Sequence, residues 1–263
     1  MKTSVNKQQG FTLVELIIVM VISGIVAMLV VNLIASPMTA YADLKRRAEL
    51  VDIAELTLHR MARDIHHALP NSVRISADQL SLEMLHTIDG GRYASSGTDV
   101  FTTTASSTSF ALLQPLRISA AQAVGLNVVV YNLGESGSDA YQTAPLENRS
   151  EITALTDSLI SYSAIQFPLS SPQARYMIVD KPILFGCLLA NNSLYLKQDY
   201  AITANMGSVS SSDALLAKNI TNCQFSYSAG STTRPGLVTL AITISDNGEK
   251  ITLMNQVFVE NQP

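Results

Sequence analysis

The sequence predicts an α+β protein in which a long N-terminal helix packs on an antiparallel β-sheet head. Three observations carry that expectation. An apolar run of about 25 residues, from Phe11 to Ala35, contains one charge, Glu15. A helical stripe then recurs at seven-residue spacing through Leu44, Val51, Leu58 and Ile65, with Arg47, Ala54, Met61 and Ala68 interleaved. From Asn71 onward, short β-branched runs alternate with Gly, Asn, Asp and Ser punctuation and show no βαβ alternation.

The apolar run follows a polar leader, residues 1–10, that carries Lys2 and Lys7. At 1.5 Å per residue the run forms a helix of roughly 37 Å, enough to cross a bilayer with some tilt. Ser36-Pro37 is expected to interrupt it, because proline removes a backbone donor and clashes with the preceding turn. The expected divisions are therefore a leader over 1–10, a membrane helix over 11–36, an amphipathic stem over 37–69 and a β-rich head over 70–263. Leu69-Pro70 marks the stop of the stem, whose polar face carries Arg46, Glu49, Arg60, Arg63 and Asp64.

In the head, Ser72–Ile75 and Leu80–Leu85 read as strands, and Gly90-Gly91-Arg92-Tyr93 as a turn. Residues 95–109, rich in Ser and Thr, read as an exposed loop. Asn127–Asn132 reads as a central strand and Gly134–Asp139 as a loop. Ile183–Leu188, Leu194–Lys197 and Gln224–Tyr227 read as further strands, and Gly207–Asp213 as a mobile, Ser-rich segment. The strongest local signal comes last. Leu237–Ser245 and Lys250–Val259 flank Asp246-Asn247-Gly248-Glu249, where Asn-Gly supplies the positive φ angles of a tight hairpin turn.

Glu15 needs an explanation. A carboxylate costs about 2.5–3.5 kcal/mol at the centre of a membrane helix and less near its end. Cleavage between Gly10 and Phe11 would offset that cost. It leaves an α-ammonium on Phe11, four positions away, and one subunit's amine can then pair with a neighbour's carboxylate. An ordinary secretory signal has an apolar region of only about 7–15 residues. Ala40-Tyr41-Ala42 offers such a signal its cleavage site, but the apolar run is too long for it and holds an acid. An uncleaved anchor accounts for the length but neither for the Gly-Phe junction nor for Glu15. The segment Gly10-Phe11-Thr12-Leu13-Val14-Glu15-Leu16 resembles the signature of type IV prepilins, shared by pilins and the pseudopilins of type II secretion.

Further stretches resemble the MshO-type minor pilins of the mannose-sensitive haemagglutinin (MSHA) pilus. They are Arg60-Met61-Ala62-Arg63-Asp64 leading to Leu69-Pro70-Asn71-Ser72-Val73-Arg74, then Phe167-Pro168-Leu169-Ser170-Ser171-Pro172 through Arg175-Tyr176 to Pro182 and Cys187. The ending from Asn255 to Pro263 completes the set. The resemblance implies a minor pilin cleaved by a prepilin peptidase between Gly10 and Phe11 and N-methylated at Phe11. Glu15 would serve assembly with other pilins through the N-terminal helix, on an inner-membrane assembly platform. It also implies a cytoplasmic leader, a single pass through the bacterial inner membrane, a periplasmic head, and export into a pilus or pseudopilus. Charge alone does not decide orientation, since Lys45, Arg46 and Arg47 balance Lys2 and Lys7. The alternatives are a J-type minor pseudopilin of type II secretion and an uncleaved, membrane-anchored periplasmic binding domain.

Composition sets further bounds. The apolar share of 47% and charged share of 14% describe a globular protein with an anchor, and 17 basic against 21 acidic side chains give no footprint for nucleic acid. Cys187 and Cys223 would be buried thiols or a weak metal pair in the cytosol. Beyond the membrane, where the resemblance places them, they read as one disulfide.

No catalytic motif survives inspection, and no cofactor or metal is implied. His59 and His66 lie two turns apart, too far for one ion, and His67 adds no third ligand at a suitable spacing. There is no G-x-S-x-G elbow and no phosphate-binding loop. Asp246-Asn247-Gly248 lacks the remaining acids of a calcium loop. Asn148, Asn191 and Asn219 each begin an N-x-S/T triplet, which matters only in a glycosylating host.

Overall fold

The structure, a computed structural model, describes Gly10 and residues 12–143, 148–230 and 234–259. It is α+β, an N-terminal apolar helix followed by an antiparallel β head. The chain divides into two compact units between Glu49 and Leu50.

A single helix, α1 (Leu13–His66), runs through both units with Pro37 inside it. The expected interruption at Ser36-Pro37 is absent. Proline forfeits one bond, to the carbonyl four residues back, and α1 continues through it on the bonds that remain. In the first unit every described apolar side chain from Leu13 to Leu44 is exposed. Short-range charge pairs decorate its end, Lys45 with Glu49 at 3.7 Å and Arg46 with Asp43 at 3.1 Å.

In the second unit the helix buries Leu50, Ala54, Thr57, Leu58, Met61, Ala62 and Ile65. This is the expected stripe from Ala54 onward, but it begins on Leu50 rather than Val51, and Leu44 stays exposed. A 3.6-residue period drifts away from a strict seven-residue repeat, so the face that packs here moves off Leu44 and Val51. The helix ends at His66, a turn before the expected Leu69-Pro70 stop.

Twelve strands follow among the described residues: β1 (Arg74–Ile75), β2 (Ser81–Arg92), β3 (Ser107–Ala111), β4 (Asn127–Val129), β5 (Arg149–Leu155), β6 (Leu159–Ile165), β7 (Arg175–Leu188), β8 (Ser193–Lys197), β9 (Ala214–Lys218), β10 (Ile220–Ser228), β11 (Leu237–Asp246) and β12 (Glu249–Phe258). A short helix, α2 (Ala120–Ala123), precedes β4. Nine strands form one sheet in the order β1-β2-β7-β4-β5-β6-β3, with β8 on the far part of β7 and β9 on β8. The last three form a second antiparallel sheet, β10-β11-β12.

The buried face of α1 shares a core with strands of both sheets, among them Leu82, Phe185, Leu240 and Val257. A second core, rich in rings, lies further along the large sheet. Phe110 meets Tyr93, Phe101, Tyr162 and Tyr176 at centroid distances of 5.2–5.8 Å. A third, smaller core holds Leu69, Leu85, Val129 and Tyr141. Asn132 fastens the stem-to-head junction here, donating to the Pro70 carbonyl at 2.7 Å while its own Oδ1 accepts from Ala140 N–H at 2.9 Å.

Two further expectations change in the head. Gly90-Gly91-Arg92 is the end of β2, not a turn. A Cβ on Gly90 would sit 2.8 Å from Met177 Sδ and 2.9 Å from the Tyr176 carbonyl, and one on Gly91 would sit 2.8 Å from Tyr176 Oη. The glycines therefore admit the partner strand rather than bend the chain. Within 95–109, Phe101 is buried and β3 begins at Ser107. The terminal hairpin follows its reading, with Asn247 at φ 46° and Gly248 at φ 86° between β11 and β12.

Candidate functional site: the N-terminal segment and its stem

Gly10 is exposed, and nothing among the described residues lies within 4 Å of a Cβ built on it. Phe11, the residue expected after cleavage, lies outside the described residues, as do leader residues 1–9 and the closing residues 260–263. Thr12 is the first described residue after the junction, and it starts the helix. Its Oγ1 accepts from Glu15 N–H at 3.3 Å, and its carbonyl accepts from Leu16 N–H at 3.2 Å. This is the bonding of an N-cap threonine, which satisfies one of the orphan donors of a helix start.

Glu15 is the acidic residue of the first turn and is exposed. The partial positive charge of the helix start favours a carboxylate there. The local geometry thus partly offsets the cost of Glu15 within one chain and leaves its oxygens free of any described side-chain partner. From this start α1 offers Leu13–Val31, the one stretch among the described residues long and apolar enough to cross a membrane, none of it buried inside the chain. Ser23 keeps its hydroxyl on its own helix, donating to the Val19 carbonyl at 2.6 Å. The structure therefore gathers Gly10, Thr12 and Glu15 within one helical turn and its lead-in.

The other singled-out residues lie elsewhere. Cys187 on β7 and Cys223 on β10 form a disulfide that ties the large sheet to the small one. Both are buried in the core shared with the stem. His59 is exposed on the helix. His67 lies edge-on to His86, with ring centroids 5.9 Å apart, and burial holds His86 below the usual histidine value, with His67 adding to the effect. Among the described residues no group of three or more His, Cys, Asp or Glu is placed to hold a metal ion. Asn148 is fully buried, its Nδ2 3.2 Å from Asn132 Oδ1, and does not present itself for modification. Asn191 and Asn219 are exposed.

Residues 5–31 match the prokaryotic N-terminal methylation motif. No curated protein and no solved structure matches the chain. The motif, the apolar helix and the antiparallel head together support a type IV pilin-like prepilin or pseudopilin: a structural subunit, anchored in a membrane, with an exposed head. The same motif implies processing by a peptidase and assembly with other pilins in a membrane.

Proposed function

We propose that this chain is a minor pilin of the MSHA type. A prepilin peptidase cuts between Gly10 and Phe11, and Phe11 is N-methylated. The subunit then sits in the inner membrane with its head in the periplasm. It enters a pilus through its N-terminal helix, with Glu15 meeting the Phe11 amine of a neighbour at the assembly platform. The observation that carries this reading is the methylation motif over residues 5–31, running directly into an apolar stretch that its own chain leaves uncovered. The finer MSHA assignment draws support from the stretch Leu69–Arg74, which resembles that branch. Here it forms the stem-to-head junction, with Asn71 Nδ2 bonded to the Asn132 carbonyl and Arg74 to Glu83.

The test is amino-terminal sequencing of the mature protein from its native envelope. The expected first residue is N-methylated Phe11, and a chain beginning at Met1 or after Ala42 would refute the prepilin reading. Deletion of the gene should reduce surface filaments and leave protein secretion intact. The opposite pattern would assign the subunit to a secretion pseudopilus.

A further inference from the structure

Where β2 ends and β7 begins, the register sets Arg92 directly opposite Arg175. Side chains of directly opposed residues share a face, with Cβ atoms about 4.5–5.5 Å apart, and like charges so placed are destabilising. Arg117 joins them. Asp89 Oδ2 accepts from the backbone N–H groups of Arg117 at 2.7 Å and Ile118 at 3.2 Å, while Oδ1 accepts from Gly90 N–H at 2.8 Å. The carboxylate thereby pins the Arg117 segment beside β2, and its oxygens are spent on backbone donors. The three arginines line one open groove of about 490 Å³ together with Asp89, Gly90 and Met177. No ion pair or side-chain hydrogen bond engages any of the three guanidiniums among the described residues, although the chain carries 21 acidic side chains. The groove thus gathers three arginines around one carboxylate, Asp89, an excess of positive charge in a protein of net negative charge, at a cost to its own stability.

We propose that this groove binds an anionic glycan, whose carboxylate or phosphate groups are spaced to meet Arg92, Arg175 and Arg117. Guanidinium forks match planar or tetrahedral oxyanions with two parallel hydrogen bonds each. An acidic peptide strand is the poorer occupant, because the backbone around the groove is already paired. β7 fills one side of β2, and the Arg92 carbonyl accepts from Leu113 N–H at 3.0 Å on the other. Recognition there runs through side chains alone. Single-stranded nucleic acid is disfavoured too, since the lining offers no Phe, Tyr or Trp on which bases could stack. The site is independent of the subunit's place in a filament.

The experiment uses the full chain in non-ionic detergent at low salt, titrated with oligogalacturonate, a phosphorylated mannose oligosaccharide and a neutral dextran of equal length. At least one anionic glycan should bind, the tighter of the two identifying the anion, with affinity falling as salt rises. Substituting Arg92→Gln together with Arg175→Gln should weaken it by about tenfold or more. The melting temperature of that variant should stay level or rise, because a repulsion has been removed, and Arg117→Gln should weaken binding without touching the β2–β7 register. Absence of binding to either anionic glycan, or undiminished binding by the variants, would overturn the proposal. Polyglutamate or a single-stranded oligonucleotide binding as tightly as the glycans would overturn it as well.

Discussion

Arg74 closes over the fully buried carboxylate of Glu83, its Nε 3.1 Å from Glu83 Oε1. The same guanidinium reaches the carbonyls of Thr203, Ala204 and Asn205 at 2.7–3.0 Å and lies 3.7 Å from the centre of the Tyr141 ring. Glu83 Oε2 in turn accepts from Gly207 N–H at 2.7 Å. One ion pair at the stem-to-head junction thus gathers the loop over 203–207. Because Glu83 has no access to water, removing its partner leaves a buried, uncompensated charge.

Arg74→Ala should therefore lower the unfolding free energy by about 3–5 kcal/mol. The pair Arg74→Met with Glu83→Leu should cost much less than that single change, since no charge is stranded. Urea unfolding of the three proteins decides. Equal losses in single and double variants would mean that packing of Arg74 on Tyr141, not charge, dominates.

The disulfide offers a second measurement. Closing a loop across a sequence separation of 36 removes chain entropy worth about 4 kcal/mol from the unfolded state. Cys187→Ala with Cys223→Ala should show a loss of that order, and non-reducing peptide mapping of the native protein should recover the two cysteines in one linked fragment.

His86 gives a pH dependence. Its folded value is lowered by burial first, then by His67, against a smaller opposing effect of Asp64 and Asp180. Below the ordinary histidine value of 6.5 the unfolded chain takes up a proton that the folded chain declines, so stability falls as pH falls through that region and the loss completes below the folded value. His86→Gln should flatten the decline of melting temperature below pH 6.5. An unchanged slope would shift the effect to other groups.

Glu15 and Thr12 separate helix capping from assembly. Thr12→Ala removes the observed cap and should cost the helix start about 1 kcal/mol. Glu15→Ala keeps the cap, so its helix should persist while incorporation into filaments falls. Normal co-purification of Glu15→Ala with assembled pili would refute the assembly role.

Hydrogen exchange locates the working boundary of the stem. In a fragment lacking residues 1–37, amides over 50–66 should be strongly protected by the core they share, and those over 38–49 should exchange fast. Protection beginning at Met38 instead would restore the division expected at Ser36-Pro37.

These measurements probe features of unequal visibility in the sequence. The terminal hairpin was legible because Asn247-Gly248 states its turn locally, and the stem face was legible from Ala54 to Ile65 because helical period is local too. Leu50 was missed, since a seven-residue count carries the stripe through Val51 while the packed face follows the 3.6-residue turn. β5 and β6 passed unnoticed: Glu151, Thr153, Ser161 and Ser163 dilute their apolar pattern, and of their residues Ile152, Ile160 and Tyr162 are buried in the ring-rich core, with Leu155 and Ile165 packed at its margin. Gly90-Gly91 misled because glycine marks turns and close strand contacts alike. The start of the anchor was legible from Gly10 to Glu15 by motif, whereas the Thr12 cap was a bonding pattern nobody needs the family to find. The three arginines were invisible, for only the pairing of β2 with β7 brings 92 to 175.

The core beneath the stem has one more consequence. Leu50 and Val259 belong to the same buried cluster, although about 200 residues of chain separate them, and Val259 N–H is bonded to the Gly236 carbonyl at 2.9 Å. Contacts so distant along the chain form slowly. During synthesis the anchor emerges first, and the stripe from Leu50 to Ile65 follows it long before β11 and β12 exist to cover it. Until the ribosome has released the final strand, that greasy stretch is a temporary liability, to be shielded by a chaperone or by the membrane beside it. Truncation near the C-terminus should accordingly harm the beginning of the molecule as much as its end.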